Sequence, residues 1–201
     1  MRITQQAKAA TRERVLDAAR RRFAREGFEA TTTRDIAREA GIAAGTLFNY
    51  FPNKDAIALA LIADALAAGR NDFEQRQRAT SLAEDLFAHV ASGLRRLKPF
   101  RRFLRPVLET AFSPALAPGT DPGAALRADH LETVGGLLVE HDCEAAPLGL
   151  QLYWTLYTGL LVFWAHDRSA KQEETLALMD ESMEMFVGWL RAQAAPRPQS
   201  P

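Results

Sequence analysis

Two short helical patterns separated by a glycine, between positions 31 and 55, constrain this chain more than any other feature. The first begins after a threonine at 32 or 33, and threonine is one of the residues that cap helix N-termini. Ile36 and Ala40 lie four residues apart and therefore share one helical face. Gly41 follows, where a left-handed residue can end a helix. We therefore predict a short helix that ends before Gly41.

A second helical pattern runs from Ile42 to Phe51 and stops at Pro52, because the residue before a proline is disfavoured in the helical region. Leu47 and Phe51 share its apolar face. The opposite side carries groups suited to a phosphate or a base edge: Thr46, Asn49 and Tyr50. Two helices joined by a glycine-containing turn are typical of a helix-turn-helix unit. Other α-proteins also join short helices at a glycine, so the pattern alone leaves DNA binding open.

The segment TTTRDIAREAGIAAGTLFNYFPNKDAI resembles the N-terminal DNA-binding segment of the TetR family of bacterial transcriptional regulators. The resemblance extends from about Thr11 to Leu61, less than a third of the chain. It implies an all-α fold, in which a three-helix helix-turn-helix DNA-binding domain precedes a helical ligand-binding and dimerisation domain. The implied function is that of a ligand-responsive transcriptional regulator, expected to be a repressor. Such a protein binds a pseudo-palindromic operator in double-stranded DNA as a homodimer, and a small-molecule effector releases it.

The resemblance, carried over position by position, indicates candidate DNA contacts. Thr33 and Arg34 match family positions that touch phosphate and sometimes a base. Asn49 is expected to read a base edge, and adenine suits its amide best. Lys54, at the start of the next helix, is expected to hold a phosphate. The full set expected at the DNA is Thr33, Arg34, Ala44, Gly45, Thr46, Phe48, Asn49, Tyr50 and Lys54.

Two positions depart from the family pattern. Ala43 stands where the family often has a capping serine or threonine, and loss of such a cap costs about 1 kcal/mol of local helix stability. Phe48 replaces a common tyrosine, so one hydroxyl contact to phosphate is absent. Both changes keep the helix-turn-helix pattern but leave the operator sequence open.

Positive charge is concentrated in the first part of the chain. Lys plus Arg and Asp plus Glu both total 25, so the net charge is zero. Residues 1–60 nevertheless contain 11 basic and 7 acidic residues, and the remainder is correspondingly acidic. A basic N-terminal portion suits attraction to phosphates.

The sequence offers no motif for catalysis, metal binding or export. The single cysteine, Cys143, excludes a disulfide within the chain, and no Cys–His grouping has metal-ligand spacing. The four histidines are scattered and are expected to be surface or core residues. The N-terminus lacks an apolar run of signal-peptide length. With the family resemblance, this predicts a cytoplasmic protein that is not an enzyme and has no cofactor.

Apolar periodicity predicts helices throughout the chain and no strands. The predicted helices, besides the two above, span residues 11–26, 54 onward, 81–97, 100–112, 126–141, 148–166 and 171–191, and residues 1–10 are expected to fray. We divide the chain into a DNA-binding domain (1–53), a helical regulatory and dimerisation domain (54–192) and a disordered tail (193–201).

Residues 148–165 form an uncharged stretch of 18 residues, at the lower limit for a membrane-spanning helix. Gln151, Thr155 and Thr158 lower its hydropathy, so we expect a buried helix and no membrane span. This helix and the last one have more apolar surface than one subunit easily covers. Across the TetR family two such helices from each chain form a four-helix dimer interface. The residues expected there are Leu160, Met183, Val187 and Leu190.

Mid-helix aromatic residues are candidates for an effector pocket, although large aromatics also fill ordinary cores. The predicted pocket residues are Phe87, Phe103, Trp154, Tyr157 and Trp164. A basic cluster between Arg95 and Arg105 suits an anionic effector or, by default, a solvated face.

Two other classes remain open at this point. The chain could be an all-α ligand-binding protein or enzyme that does not bind DNA. It could also be a peripheral membrane protein that uses residues 148–165.

Overall fold

The computed structural model describes residues 4–101, 123–144 and 146–194, and these residues form helices without any strand. The all-α prediction is confirmed. Eight α-helices are described: α1 (Gln5–Glu26), α2 (Thr33–Glu39), α3 (Ala44–Phe48), α4 (Lys54–Glu74), α5 (Leu82–Leu97), α6 (Ala124–Glu140), α7 (Pro147–His166) and α8 (Glu173–Ala194). Short 3-10 helices occupy Lys98–Phe100 and Ala170–Gln172. Phe103, most of the predicted helix at 100–112 and most of the predicted tail lie outside the described residues.

Side-chain caps set the starts of several helices. The Thr4 hydroxyl accepts a hydrogen bond from the Ala7 N–H at 3.2 Å, and α1 therefore begins six residues before the predicted start. The expectation that residues 1–10 fray is wrong from Gln5 onward. At the start of α2, Thr32 and Asp35 form a reciprocal capping box. The Asn53 side chain accepts from the Ala56 N–H at 2.8 Å and begins α4 at the predicted residue.

The second helix of the helix-turn-helix is shorter than predicted, since α3 covers only Ala44–Phe48 within the expected 42–51. Ala43 precedes it with extended backbone (φ −66°, ψ 144°) and gives no side-chain cap. Beyond Phe48 the backbone forms tighter turns, with Tyr50 N–H donating to the Leu47 carbonyl three residues earlier at 2.9 Å. Missing caps and the following Pro52 leave this helix only five residues long.

The first four helices share an apolar core. Val15 and Phe23 of α1, Ile36 of α2, Leu47 of α3 and Ile57 of α4 are each at most 1% exposed. Gly41 has a φ of +68°, so the predicted left-handed residue between α2 and α3 is present. Helix α4 begins at the predicted boundary but also packs along α5, so the division at residue 53 stays a prediction.

Helices α4 and α5 touch backbone to backbone where two glycines meet. A Cβ atom at Gly69 of α4 would lie 2.8 Å from the Gly93 Cα and 2.9 Å from the Ser92 carbonyl oxygen of α5. Any side chain at position 69 would therefore push the helices apart. The close approach fixes the position of α4 relative to the rest of the helical body.

The last two helices bury most of their large side chains within the protein. Tyr153, Trp154, Tyr157 and Trp164 of α7 are each at most 2% exposed, which agrees with the expected buried helix. Helix α8 covers part of α7 and also packs against α5. Among the described residues, no helix combines the length and apolarity needed to cross a bilayer.

Two arginines of the predicted basic cluster, Arg96 and Arg101, make contacts between helices, whereas Arg95 donates to the Ser92 hydroxyl of its own helix at 2.7 Å. Arg96 makes two hydrogen bonds, of 2.6 and 2.7 Å, to the Asp72 carboxylate of α4. Arg101 donates to the carbonyl oxygens of Trp164, at 2.7 Å, and Asp167 at the end of α7. Arg96 and Arg101 therefore join the helical body together and do not form an unpaired basic face.

Replacing Gly69 with alanine should lower the free energy of unfolding by about 1–3 kcal/mol, because the added methyl group collides with backbone that cannot rotate away. Gly135→Ala in α6 is the matched control, since its Cβ would meet nothing within 4 Å. The control should be neutral or stabilising by up to about 1 kcal/mol. Urea titration of both variants measures the difference, and equal stabilities would contradict the tight crossing.

Candidate nucleic-acid interface and ligand pocket

Helices α2 and α3 present an exposed polar surface beside their shared turn. The capping box orients the first turn of α2, where Thr33 is half-buried and Arg34 is exposed. Arg34 makes no hydrogen bond or ion pair among residues 4–101, 123–144 and 146–194. Its guanidinium group is therefore available to an anion from outside the protein.

The DNA contacts predicted on and after α3 differ in how far they are exposed to solvent. Gly45 and Asn49 are exposed, and a Cβ at Gly45 would meet no atom within 4 Å, so another molecule can approach the backbone there. Phe48 is 51% exposed, which is unusual for a large apolar side chain. Thr46 and Tyr50 are half-buried, as is Ala44. The structure therefore brings these residues to one end of the helix-turn-helix, whereas their roles stay predictions.

Three arginines of α1 converge on one glutamate of α2. Glu39 of α2 accepts hydrogen bonds from Arg21 at 2.9 Å and Arg25 at 3.2 Å, and forms an ion pair with Arg22 at 2.6 Å. The Arg21 hydrogen bond is the main reason that the pKa of Glu39 lies below its usual range. These charges hold α1 against α2 and reduce the positive potential that composition alone suggested.

Lys54 is already engaged inside the protein. Its ammonium group donates to the Phe28 carbonyl at 2.7 Å and the Glu29 carbonyl at 3.4 Å, and it lies 4.1 Å from the centre of the Phe28 ring. The side chain ties the start of α4 to the loop between α1 and α2. Its predicted phosphate contact would have to use the one remaining N–H.

The five aromatic residues predicted to line one effector pocket do not do so together. Phe87 and Trp164 line an open groove of about 380 Å³ between α5, α7 and α8. Tyr157 lines a different and nearly closed cavity between α4, α5, α6 and α7. Trp154 is buried beside it, and Phe103 lies outside the described residues.

Two buried histidines at the closed cavity were missed by the sequence reasoning. His89 of α5 lies 3.3 Å from His130 of α6 through ring nitrogens, and His130 is 3.2 Å from the Tyr153 hydroxyl. Burial lowers the pKa of His89 to about 4, and it also lowers the pKa of His130. Their positions on the apolar stripes of their own helices, beside Leu86 and Val134, were the signal that could have found them.

The residues predicted for the dimer interface lie within the protomer's own core. Leu160, Met183, Val187 and Leu190 are 1–4% exposed. Side chains that are already covered cannot form direct contacts with a second chain, so this set needs correction. The periodicity identified the apolar faces of α7 and α8, and the face that a second chain would cover stays a prediction.

These observations define an all-helical protein, with a helix-turn-helix at its N-terminal end and a helical body built on α4. Residues 15–61 match the family model described as bacterial regulatory proteins, tetR family. The match lies in the N-terminal part of the chain, and the residues that carry it include all of α2 and α3.

Three similar proteins show how far the likeness extends. The chain is 40% identical over 84 residues to YvkB, an uncharacterized HTH-type transcriptional regulator of Bacillus subtilis, covering 42% of this chain and 43% of that protein. It is 34% identical over 91 residues to the HTH-type transcriptional repressor Rv1474c of Mycobacterium tuberculosis, covering 43% and 49%. The chain thus spans about half the length of the curated relatives it matches.

A solved TetR transcriptional regulator from Rhodococcus sp. RHA1 extends the likeness to the whole fold. It superposes with a TM-score of 0.69, covering 90% of this chain and 97% of that one, at 17% identity. The helical body therefore shares the architecture of that protein, while its side chains are largely its own.

The buried histidine makes stability depend on pH. The folded-state pKa of His89, about 4, lies below the ordinary value of 6.5, so the unfolded chain binds a proton first as pH falls. The contribution of His89 to the free energy of unfolding is therefore fully present above pH 6.5, and it falls by about 3 kcal/mol as the pH is lowered to 4. Urea titrations from pH 7 to pH 4 should show a shallower decline for His89→Phe. Parallel curves for the two proteins would contradict this assignment.

Proposed function

We propose that the protein is a ligand-responsive transcriptional repressor that binds a pseudo-palindromic DNA operator as a homodimer. The observation that carries this proposal is the exposed end of the helix-turn-helix, where Arg34, Gly45 and Asn49 are all exposed to solvent. A guanidinium group suits a phosphate, an amide suits a base edge, and a glycine permits close approach. Such a protein acts where the bacterial chromosome is, in the cytoplasm.

Exposed apolar residues on α7 and α8 support a revised dimer interface. Leu148, Thr155 and Val162 of α7 follow one another at seven-residue intervals, and so do Leu178 and Met185 of α8. The four apolar members are 38–69% exposed. Seven-residue spacing gives a continuous seam along a helix, so two helices from each of two chains can form a four-helix bundle.

Helix α4 supports the proposed coupling between effector and DNA. Its first residues are bound to the loop between α1 and α2 through Lys54, and its later residues meet α5 at the glycine crossing. A ligand that displaces α4 within the body would therefore move the DNA-reading end. It acts as an effector only if it binds the displaced state more tightly than the DNA-bound state.

A gel-shift titration against the DNA upstream of the protein's own gene tests the proposal directly. Unrelated DNA serves as competitor, and the salt concentration is varied. Sequence-selective binding that weakens steeply with salt is the expected result. An absence of selective binding, there and in a selection from genomic fragments, would favour an all-α ligand-binding protein or enzyme instead.

Arg34→Ala should weaken binding to all DNA sequences by a similar factor and reduce the slope of log affinity against log salt by about one. The reason is that a phosphate contact carries no sequence information. Arg191→Ala, in α8, removes one exposed charge as a control and should leave the slope unchanged. An unchanged slope for Arg34→Ala would remove this residue from the proposed interface.

Asn49→Ala should relax sequence preference while binding to random DNA persists. Loss of a bidentate amide contact to a base reduces discrimination at that position by about 1–3 kcal/mol. Competition of operator variants against one another measures the change. If the ranking of variants is the same for both proteins, Asn49 does not read a base.

Met185→Glu should convert the dimer to a folded monomer, because it introduces a charge into the proposed seam. Leu176→Glu is the matched control, since Leu176 is also exposed but lies nine residues from Met185 and so on the opposite side of α8. Sedimentation velocity distinguishes the two species. If the dimer persists in Met185→Glu but dissociates in Leu176→Glu, the interface lies on the side of α8 that carries Leu176.

A further inference from the structure

The nearly closed cavity in the helical body has an uneven lining. Its volume is about 20 Å³, enough for roughly one water molecule. Leu66, Val90 and Leu126 provide an apolar wall. His89, His130 and Tyr157 provide an aromatic and polar wall, with the rings of His130 and Tyr157 stacked at 3.9 Å. An apolar lining with a few converging polar groups is typical of ligand sites, but a ligand larger than water would have to widen this cavity.

The two histidines form a hydrogen-bonded chain that ends at a ring nitrogen of His89. The chain runs from Tyr153 through His130 to the Nε2 atom of His89. The Nδ1 atom of His89 is buried and has no hydrogen-bond partner in the part of the chain that the structure describes. Buried polar atoms nearly always have a partner, so this atom indicates where another molecule belongs.

The chain can run in either direction. If the Tyr153 hydroxyl donates to His130, then His130 donates to His89 and the free Nδ1 carries the hydrogen. If His89 donates to His130, the free Nδ1 is an acceptor. A hydroxyl group suits both arrangements because it donates and accepts, whereas a carbonyl suits only the first.

Charge at this site is already balanced. Burial keeps both histidines neutral, and Arg70 of α4, at the cavity wall, forms ion pairs with Asp129 of α6 and with Glu74 of its own helix. An anion would compete with Asp129 for Arg70, and a cation would compete with Arg70 for Asp129. An uncharged molecule disturbs neither residue and avoids the cost of burying an unpaired charge.

A larger groove lies directly outside the cavity. It measures about 470 Å³ and is also lined by Arg70, Asp129 and Thr133. These three residues therefore separate the groove from the cavity. Opening the ion pair between α4 and α6 would join the two spaces and admit a molecule larger than water.

We propose that this cavity recognises a small uncharged molecule bearing a hydroxyl group, which enters between α4 and α6 and bonds to the Nδ1 atom of His89. Binding of such a molecule does not depend on the proposed function, but its role as the effector does. Binding there separates α4 from α6, and α4 is the helix that carries the DNA-reading end.

Four benzene derivatives of similar size test the ligand class: benzyl alcohol, ethylbenzene, benzoate and benzylammonium. Ligand-observed NMR titrations use the full chain without DNA. Benzyl alcohol should bind about fivefold more tightly than ethylbenzene, the value of one hydrogen bond, and both ions should bind less tightly than benzyl alcohol. Absence of benzyl alcohol binding, equal binding of the two neutral probes, or tighter binding of either ion would overturn the proposal.

Two variants test the residues. His89→Phe should remove the preference for benzyl alcohol over ethylbenzene, while His166→Gln, at an exposed histidine of α7, should keep it. Asp129→Asn breaks the ion pair at a half-exposed position and should speed association of benzyl alcohol. If the His89→Phe variant still prefers benzyl alcohol over ethylbenzene, His89 does not recognise the hydroxyl group. If Asp129→Asn leaves the association rate of benzyl alcohol unchanged, the molecule does not enter between α4 and α6.

The gel shift separates this proposal from the proposed function. If benzyl alcohol binds through His89 and also releases operator DNA, both stand. If it binds through His89 but DNA binding is absent or unaffected, the ligand site stands and its regulatory role fails. If DNA binds selectively but benzyl alcohol does not bind, the ligand proposal fails alone.

Discussion

The contact on which the rest of the structure depends is the crossing of α4 and α5 at Gly69 and Gly93. Without a side chain at position 69, the two backbones approach as closely as their own atoms allow. Helix α4 is thereby positioned against α5, while Lys54 in its first turn bonds to the loop between α1 and α2. The ligand cavity, the ion pair of Arg70 and the loop beside α2 are all arranged along this one helix.

The sequence predicted the helical class and the helix-turn-helix well, because those depend on local signals. Periodicity, Thr32 and Gly41 together determined α2 and its turn. Helix ends were predicted less well, because a single residue decides them: Thr4 caps α1 six residues before the predicted start, and Ala43 provides no side-chain cap for α3. The glycine crossing joins residues that are 24 positions apart, and periodicity carries no information about such a pair.

The candidate sites were predictable in part for the same reason. Arg34 and Asn49 were selected because the family resemblance fixes their register, and both lie exposed as a contact residue must. The histidine pair was missed because each residue alone looks like an ordinary helical histidine, and only the packing of α5 against α6 makes a chain of them. The dimer residues were assigned to a buried face because both faces of α7 are apolar, and the sequence does not say which one the protein itself covers.

The pairing of Glu39 with three arginines of α1 has a consequence for how such a protein would find its target. Attraction to DNA at a distance depends on unpaired positive charge, and here Glu39 cancels one of these three charges and holds all three side chains in place. Binding to random sequence would then be weaker and less dependent on salt, and a search for an operator would rely less on sliding along the duplex.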